Sequence, residues 1–438
     1  MSADQNHKTR TLWLVGMLHV FTHIFNVALL PLYLLIKRDF GFASEGQATS
    51  LVTIMMLSYF VPSYWQGVLA DKLNRKKLLS WGLALNGAAF VALSFAPNYA
   101  CAVAACVVAG LGGSFYHPAA TAMIARLFPE NTGKAFGLVG IGAGLGFCFA
   151  PVFSGWRAGM LEAAHGAAAW REPVLELGVL GIIGALVFWW LADEEKPLPT
   201  AAGQSAADIL SAGAANEPSS ADCKSAALFP TGAHYVFFYA AAFSFGLRDF
   251  AGAAMGSLGS LFLQKAHGFD ARAAGVALCM MFLASAVGNP LLGRLSDSGR
   301  KRWTAAVLIL ATVLVAAFPH VPVGWTMPVL ATYGFFFMSS YPMIEALLME
   351  SVPDAMRGRI YGLFITVGGL VGQLSHWIVG DQVKRMGDAA HVASSYFVLY
   401  GALAVLLLLS LAGLPCLHAI RKREHLDSAL RTPNSALQ

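Results

Sequence analysis

The sequence predicts an all-α membrane protein with twelve transmembrane helices in two pseudo-symmetric six-helix bundles. Three observations lead there: the scarcity of charge, the number of apolar stretches and an internal repeat. Of 438 residues, 57% are hydrophobic and only 12% are charged, and mean hydropathy is +0.61. A soluble domain carries about 25% charged residues, and no single soluble core could absorb this much apolar side chain. The same composition excludes collagenous, disordered, disulfide-rich secreted and nucleic-acid-binding classes.

A helix needs about 20 apolar residues to cross a bilayer. Twelve stretches qualify: 11–36, 48–70, 78–96, 100–127, 133–155, 173–192, 232–264, 273–293, 303–319, 324–350, 358–380 and 393–417. Taken in order they are spans 1 to 12. Barrel strands would be about 10 residues long with alternating polarity. Thr11–Ile36 is too long for a signal-peptide core and no A-x-A site follows it, so it is expected to stay as span 1. An even count returns both termini to one side. Most of the 29 Lys and Arg fall on that side, including Lys8, Arg10 and Arg421-Lys422-Arg423. This positive-inside pattern places both termini in the cytoplasm of a multi-pass inner-membrane protein. The net charge of +5 reports that orientation and gives no reason to expect nucleic acid.

The longest polar interruption, 193–230, is rich in Ala, Ser, Pro and Gly and reads as a flexible cytoplasmic linker. It separates an N-terminal bundle, 1–192, from a C-terminal bundle, 231–420, and 421–438 reads as a cytoplasmic tail. The halves repeat. Gly67-Val-Leu-Ala-Asp71 aligns with Gly293-Arg-Leu-Ser-Asp297, His117-Pro118 with Tyr341-Pro342, Pro129-Glu130 with Pro353-Asp354, and Gly137 with Gly362. All four landmarks recur in one order at a spacing of about 225 residues, which makes the bundles parallel copies.

The loop after span 2 reads Gly67-x-Leu69-Ala70-Asp71-Lys72-x-x-Arg75-Lys76, and a weaker copy follows span 8. Span 5 reads Gly146-x-x-x-Ala150-Pro151-x-x-Ser154-Gly155. On these motifs the chain resembles the major facilitator superfamily over essentially all of its spans, and span 5 resembles the antiporter motif of that family's exporters. Asn74 stands where the loop usually has glycine. Gly112-Gly113-Ser114-Phe115-Tyr116-His117-Pro118-Ala119-Ala120, followed by Arg126-Leu127-Phe128-Pro129-Glu130, is similar to the fosmidomycin-resistance-type exporters. Many proton-driven exporters have Arg-x-x-x-Gly-x-Gly in span 4; Cys106-x-x-x-Gly110-x-Gly112 lacks the arginine, so coupling must use other groups.

The resemblance implies a gating latch. Asp71 would meet the positive N-terminal end of span 11 near Arg357-Gly358, with Arg75 and Arg126 as ionic partners, and Asp297 would face the start of span 5. In span 5, Gly146 and Gly155 allow close helix approach and Pro151 kinks the helix. The neighbouring Gly-x-Gly-x-Gly has no strand before it and does not read as a nucleotide loop.

Polar residues inside spans are the sharpest signal, because an ionisable group at mid-membrane costs about 2.5–3.5 kcal/mol unless it faces a cavity or a partner. The resemblance implies that spans 1, 4, 7 and 10 line a central cavity, and the polar groups fall on those four. In span 1, His19, His23 and Asn26 share one helical face. Span 4 offers Ser114, His117 and Thr121, span 7 Arg248 and Asp249, and span 10 Tyr341 and Glu345. The expected substrate site is therefore His19, His23, Asn26, His117, Thr121, Arg248, Tyr341 and Glu345, with Asp249, Glu345 and His23 carrying protons. Arg248 and Asp249 are adjacent and point about 100° apart, so they need not pair. Metal ligation by His19 and His23 is not expected, since no acidic third ligand lies nearby in sequence.

The expected function is secondary active transport by alternating access: a proton-coupled exporter, or antiporter, of a small polar or anionic compound or drug. Proton-coupled uptake by symport is the alternative. An intramembrane enzyme is disfavoured by the lack of HExxH or GxSxG, and no cofactor is expected, since GxxxxGK[ST] is absent. The partners are the solute, protons and the bilayer, and the family default is a monomer. The 6 cysteines follow no metal or redox spacing and read as small buried hydrophobes. The sequence does not name the substrate.

Overall fold

The computed structural model describes residues 3–128, 132–193, 232–351 and 357–421. Helix occupies every predicted stretch. Span 1 is Ala3–Val27, a tight turn at Leu30–Leu32, then Tyr33–Asp39; span 2 is Glu45–Phe60 and Ser63–Lys72; span 3 is Arg75–Ser94. Span 4 is Tyr99–Gly113 and Tyr116–Leu127, span 5 Thr132–His165 and span 6 Arg171–Leu191. In the second half, span 7 is Gly232–Lys265, span 8 Ala271–Leu283 and Ser285–Ser296, and span 9 Arg300–Ala317. Span 10 is Thr326–Glu350, span 11 Arg357–Met386, and span 12 begins as Phe397–Ser410. Among the described residues there is no strand. Among the described residues, eight helical runs are long and apolar enough to cross a membrane. Spans 2, 7 and 10 are not among them; they carry polar groups such as Thr49, Thr53, Arg248, Asp249 and Glu345. The linker beyond Asp193, the tail beyond Arg421, Pro129-Glu130, Pro353-Asp354 and the side chains of Asp71 and Arg357 lie outside the described residues.

Local chemistry sets the helix ends. Pro118 has no N–H for the carbonyl of Ser114, and span 4 breaks at Ser114–Phe115. Pro62 interrupts span 2 in the same way. Pro151, Pro290 and Pro342 instead sit inside continuous helices. Asn74 caps span 3: its side chain accepts from the Lys77 amide at 3.1 Å. The residue that departs from the loop motif thus begins the next helix, as Asn98 and Asp270 do for spans 4 and 8.

The outer faces of spans 6, 9 and 12 present Ile183, Leu186, Trp190, Val313, Val405 and Leu409, the apolar surface a membrane requires. The interior is fullest along span 7, where Phe238, Phe245, Met255, Leu258 and Leu261 are completely buried. The two halves meet along two pairs of helices, span 2 with span 11 and span 5 with span 8. Both seams need glycine. A Cβ on Gly155 would run into the carbonyl of Ala271, one on Gly275 into that of Pro151, and one on Gly380 into Thr49.

Two cysteines correct the expectation from sequence. Cys148 of span 5 and Cys279 of span 8 form a disulfide across the halves. Cys106 is buried and Cys101 exposed, both as free thiols.

Polar bonds between halves gather at the end of the bundle away from the termini. Ser260 donates to the Leu30 carbonyl at 2.6 Å, and Gln264 to that of Pro31 at 3.3 Å. Tyr33 and Ser257 share a hydrogen bond of 3.0 Å. Thr53 donates to the Gln373 carbonyl at 3.1 Å and accepts from the Trp377 amide at 2.9 Å.

Candidate functional site

The polar residues singled out by sequence form two clusters, one in each half. In the first half, the Nε2 atoms of His19 and His23 are 3.1 Å apart. Nδ1 of His19 lies 2.9 Å from the Val139 carbonyl of span 5. His117 joins from span 4, its ring centroid 5.4 Å from that of His19 and 6.0 Å from that of His23. Tyr116 stacks on His19 at 4.9 Å, and Phe147 of span 5 covers His23 at 4.1 Å. Two glycines make this possible. A Cβ on Gly142 would strike the carbonyl of Gly16, and one on Gly146 that of Val20. Span 5 therefore lies flush against span 1 beneath both histidines. Asn26 is half-buried on the same helix, whereas His117 and Thr121 are accessible.

The second cluster surrounds Arg248, which is 3% exposed inside span 7. Sequence reasoning left Arg248 and Asp249 free to point apart. In the structure they pair: Nη2 donates to Asp249 Oδ1 at 2.7 Å and Nε at 3.0 Å. The 100° between adjacent Cβ directions does not bind the tip of a long arginine, which curls back. The guanidinium carbon also lies 3.9 Å from the Tyr341 ring centroid, a cation–π contact from span 10. Nη1 is buried with no hydrogen-bond partner among the described residues. One turn on, Glu345 accepts from the Tyr361 hydroxyl of span 11 at 2.6 Å. Asp249 is itself pressed against span 11, since a Cβ at Gly372 would come within 2.9 Å of Asp249 Cβ.

The gating residues are placed as follows. Asp297 pairs with Arg300 of its own loop at 2.9 Å, and Arg300 also holds Glu350 at 2.9 Å. The start of span 5, which Asp297 is expected to face, has residues 129–131 and the side chains of 132–134 outside the described residues. Arg75 donates to the Ala70 carbonyl at 3.0 Å, closing the loop after span 2. Arg126 is exposed at the end of span 4.

Sequence reasoning missed several participants. Tyr361, Phe147 and the Val139 carbonyl carry no signal in one sequence. His376 does, as an ionisable group inside span 11; it lies 2.5 Å from Ser257 and 3.0 Å from Gln373. Glu45, three residues ahead of predicted span 2, is 2% exposed and pairs with both Lys37 and Lys265.

Comparisons with known proteins agree on the class. The model of the Major Facilitator Superfamily matches residues 12–376. Quinolone resistance protein NorA of Staphylococcus aureus is 27% identical over 179 residues, 41% of this chain and 43% of that protein. Multidrug resistance protein MdtH of Shigella dysenteriae serotype 1 is 24% identical over 90 residues, 20% of this chain and 22% of that protein. Each match thus spans less than half of the relative. Among solved structures, a bacterial homolog of the human lysosomal transporter Spinster superposes with TM-score 0.71 at 15% identity, covering 95% of this chain and 97% of that one. A mutant of the nucleoside transporter NupG gives TM-score 0.69 at 15% identity, covering 93% and 99%. Helical spans in two halves among the described residues and a family match across most of the sequence lead to one conclusion: the chain belongs to the Major Facilitator Superfamily, a family of membrane transporters rather than enzymes.

Proposed function

We propose that the protein is a proton-coupled exporter of a small polar compound bearing an acidic group, working by alternating access. The observation that carries this reading is Arg248: a buried guanidinium whose Nη1 lacks a partner among the described residues, flanked by Asp249, Tyr341 and Glu345. A buried unsatisfied donor calls for a ligand, and a planar guanidinium suits a carboxylate or phosphonate. His19, His23, Asn26, His117 and Thr121 form the opposing wall. Asp249 and Glu345 are the proton carriers. Export is supported by the Gly146-Pro151-Gly155 motif and by the partial likeness to two drug-resistance proteins. The narrower likeness to fosmidomycin-resistance-type exporters rests on the span 4 motif. The Lys and Arg distribution supports cytoplasmic termini in the inner membrane, and we take the working unit to be a monomer.

Antiport requires cargo and proton to exclude one another. That follows when the cargo also presents an amino or other positive group to Asp249 and Glu345. One proton crossing about 100 mV supplies about 2.3 kcal/mol. The Arg248–Asp249 pair favours a second reading. Protonating Asp249 frees Arg248 for an anion, so proton and a purely anionic cargo would bind together, which is symport. The second half would then serve uptake.

Purified protein in proteoliposomes with an imposed pH gradient separates the two. Export predicts that solute moves against the proton flow, and symport that it moves with it. Candidate solutes come from comparing metabolites retained by cells with and without the protein, and from a toxicity panel that includes phosphonates. Asp249→Asn and Glu345→Gln should retain solute exchange and lose the response to the gradient. If neither solute nor proton moves in the wild type, the proposal fails.

A further inference from the structure

The transport reading centres its charge chemistry on Arg248, Asp249 and Glu345 of the second half. It uses the three imidazoles of the first half as cavity wall, with His23 as an expected proton carrier, which leaves their arrangement relative to one another unexplained. One ring nitrogen from each of His19, His23 and His117 lies within 4.8 Å of the others. The sequence offered only the i, i+4 pair; the third nitrogen arrives from span 4, beside the break that Pro118 imposes. We propose that His19, His23 and His117 bind a divalent transition-metal ion of the zinc, cobalt or nickel kind.

Four observations support the site. First, the two Nε2 atoms of span 1 are 3.1 Å apart. Two nitrogens bound to one tetrahedral ion at about 2.0–2.1 Å sit about 3.3 Å apart. Rotation of the accessible His117 ring closes the third edge. Second, His19 is oriented from behind. Its Nδ1 meets the Val139 carbonyl, which fixes the tautomer that leaves Nε2 free, as carbonyl partners do for metal-bound histidines. Third, the span 1 pair sits on a fixed base, because Gly142 and Gly146 let span 5 pack directly under it. Tyr116 and Phe147 hold the two rings from the sides. Fourth, three imidazoles without a carboxylate select borderline ions over calcium or magnesium. Three protein ligands leave one position for water or an anionic donor on the accessible side of His117.

Binding is tested on the full chain in detergent, with any histidine tag removed, using Zn²⁺ or Co²⁺ alone as the probe. Isothermal titration should give one ion per chain. His19→Ala and His117→Ala should each weaken binding by at least about tenfold to a hundredfold, the cost of losing a mere hydrogen-bond partner of a ligand, whereas His320→Ala, in the loop before span 10, should leave it unchanged. Zn K-edge absorption of the loaded wild type keeps the test independent of how the variants fold, and should show imidazole scattering around a four-coordinate ion. Absence of stoichiometric binding, equal affinity in the His19 and His117 variants, or an oxygen-only shell would each overturn the assignment. The readout involves no transport, so it stands or falls apart from the exporter reading.

Discussion

Glu45 of the first half and Lys265 of the second are joined by an ion pair of 2.5 Å, and Lys37 reaches the same oxygen, Oε1, at 2.7 Å. Desolvating a carboxylate this completely is unfavourable unless cations replace the lost water, and here two do. The position matters as much as the strength, since the pair closes the end of the bundle away from the termini. Glu45→Gln removes the charge and leaves both ammonium groups with a weaker partner. The expected result is a loss of about 2 kcal/mol, seen as a lower melting temperature in detergent. Faster hydrogen exchange at 257–265 should accompany it. Unchanged exchange there would show that the pair does not hold this end shut.

Arg248 separates charge from shape. Arg248→Ala should reduce flux at least about a hundredfold while membrane expression persists, because the ligand loses its charged anchor. Arg248→Lys keeps the charge but loses the fork and the stacking on Tyr341, and should recover only part of the rate. The double variant Arg248→Ala/Asp249→Ala removes the half-buried carboxylate that the single variant leaves unpaired and should restore stability without restoring flux. Wild-type flux in Arg248→Ala would remove this residue from the site.

Glycines of span 5 should differ sharply in tolerance. Gly146→Ala drives a methyl into the Val20 carbonyl and should lower folding yield, with a penalty of about 1–3 kcal/mol. Gly144, two residues earlier, has open space around the same position, and Gly144→Ala should express and melt like the wild type. Parallel melting curves of the two variants check this, and equal behaviour would contradict the packing of span 5 on span 1.

The Cys148–Cys279 disulfide ties sequences 131 residues apart. Proteolysis between residues 194 and 231 should yield halves that travel together on a non-reducing gel and separate after reduction. Separation without reductant would show that the thiols are free. Cys148→Ser should abolish the reductant-sensitive band.

Much of the architecture was legible because membrane helices advertise themselves: long apolar runs, a basic side and a duplicated loop need no tertiary information. The polar residues of spans 1, 4, 7 and 10 were legible for the same reason, being expensive in hydrocarbon. What escaped was pairing. Nothing local says that Cys148 meets Cys279, that Tyr361 reaches Glu345, or that His117 completes the group begun by His19 and His23. The Arg248–Asp249 pair escaped because helical periodicity governs where a side chain starts, not where a flexible one ends. Asp297 was assigned by analogy with its repeat partner, and its pairing with Arg300 a single turn on could not be read from that analogy.

The bonds of Tyr33, Ser260 and Gln264 have one consequence for motion. All three join the halves at the same mouth, and these bonds across the halves break together when that mouth parts, while Gln264 keeps its bond to Ser260 within span 7. Neither hydrocarbon nor the opposing helix can replace them, so water must enter as the helices separate. On the proposed alternating-access cycle the mouth therefore cannot open dry: its gating is also a wetting transition, and lowering water activity with an osmolyte too large to enter should slow turnover in proportion to the waters taken up.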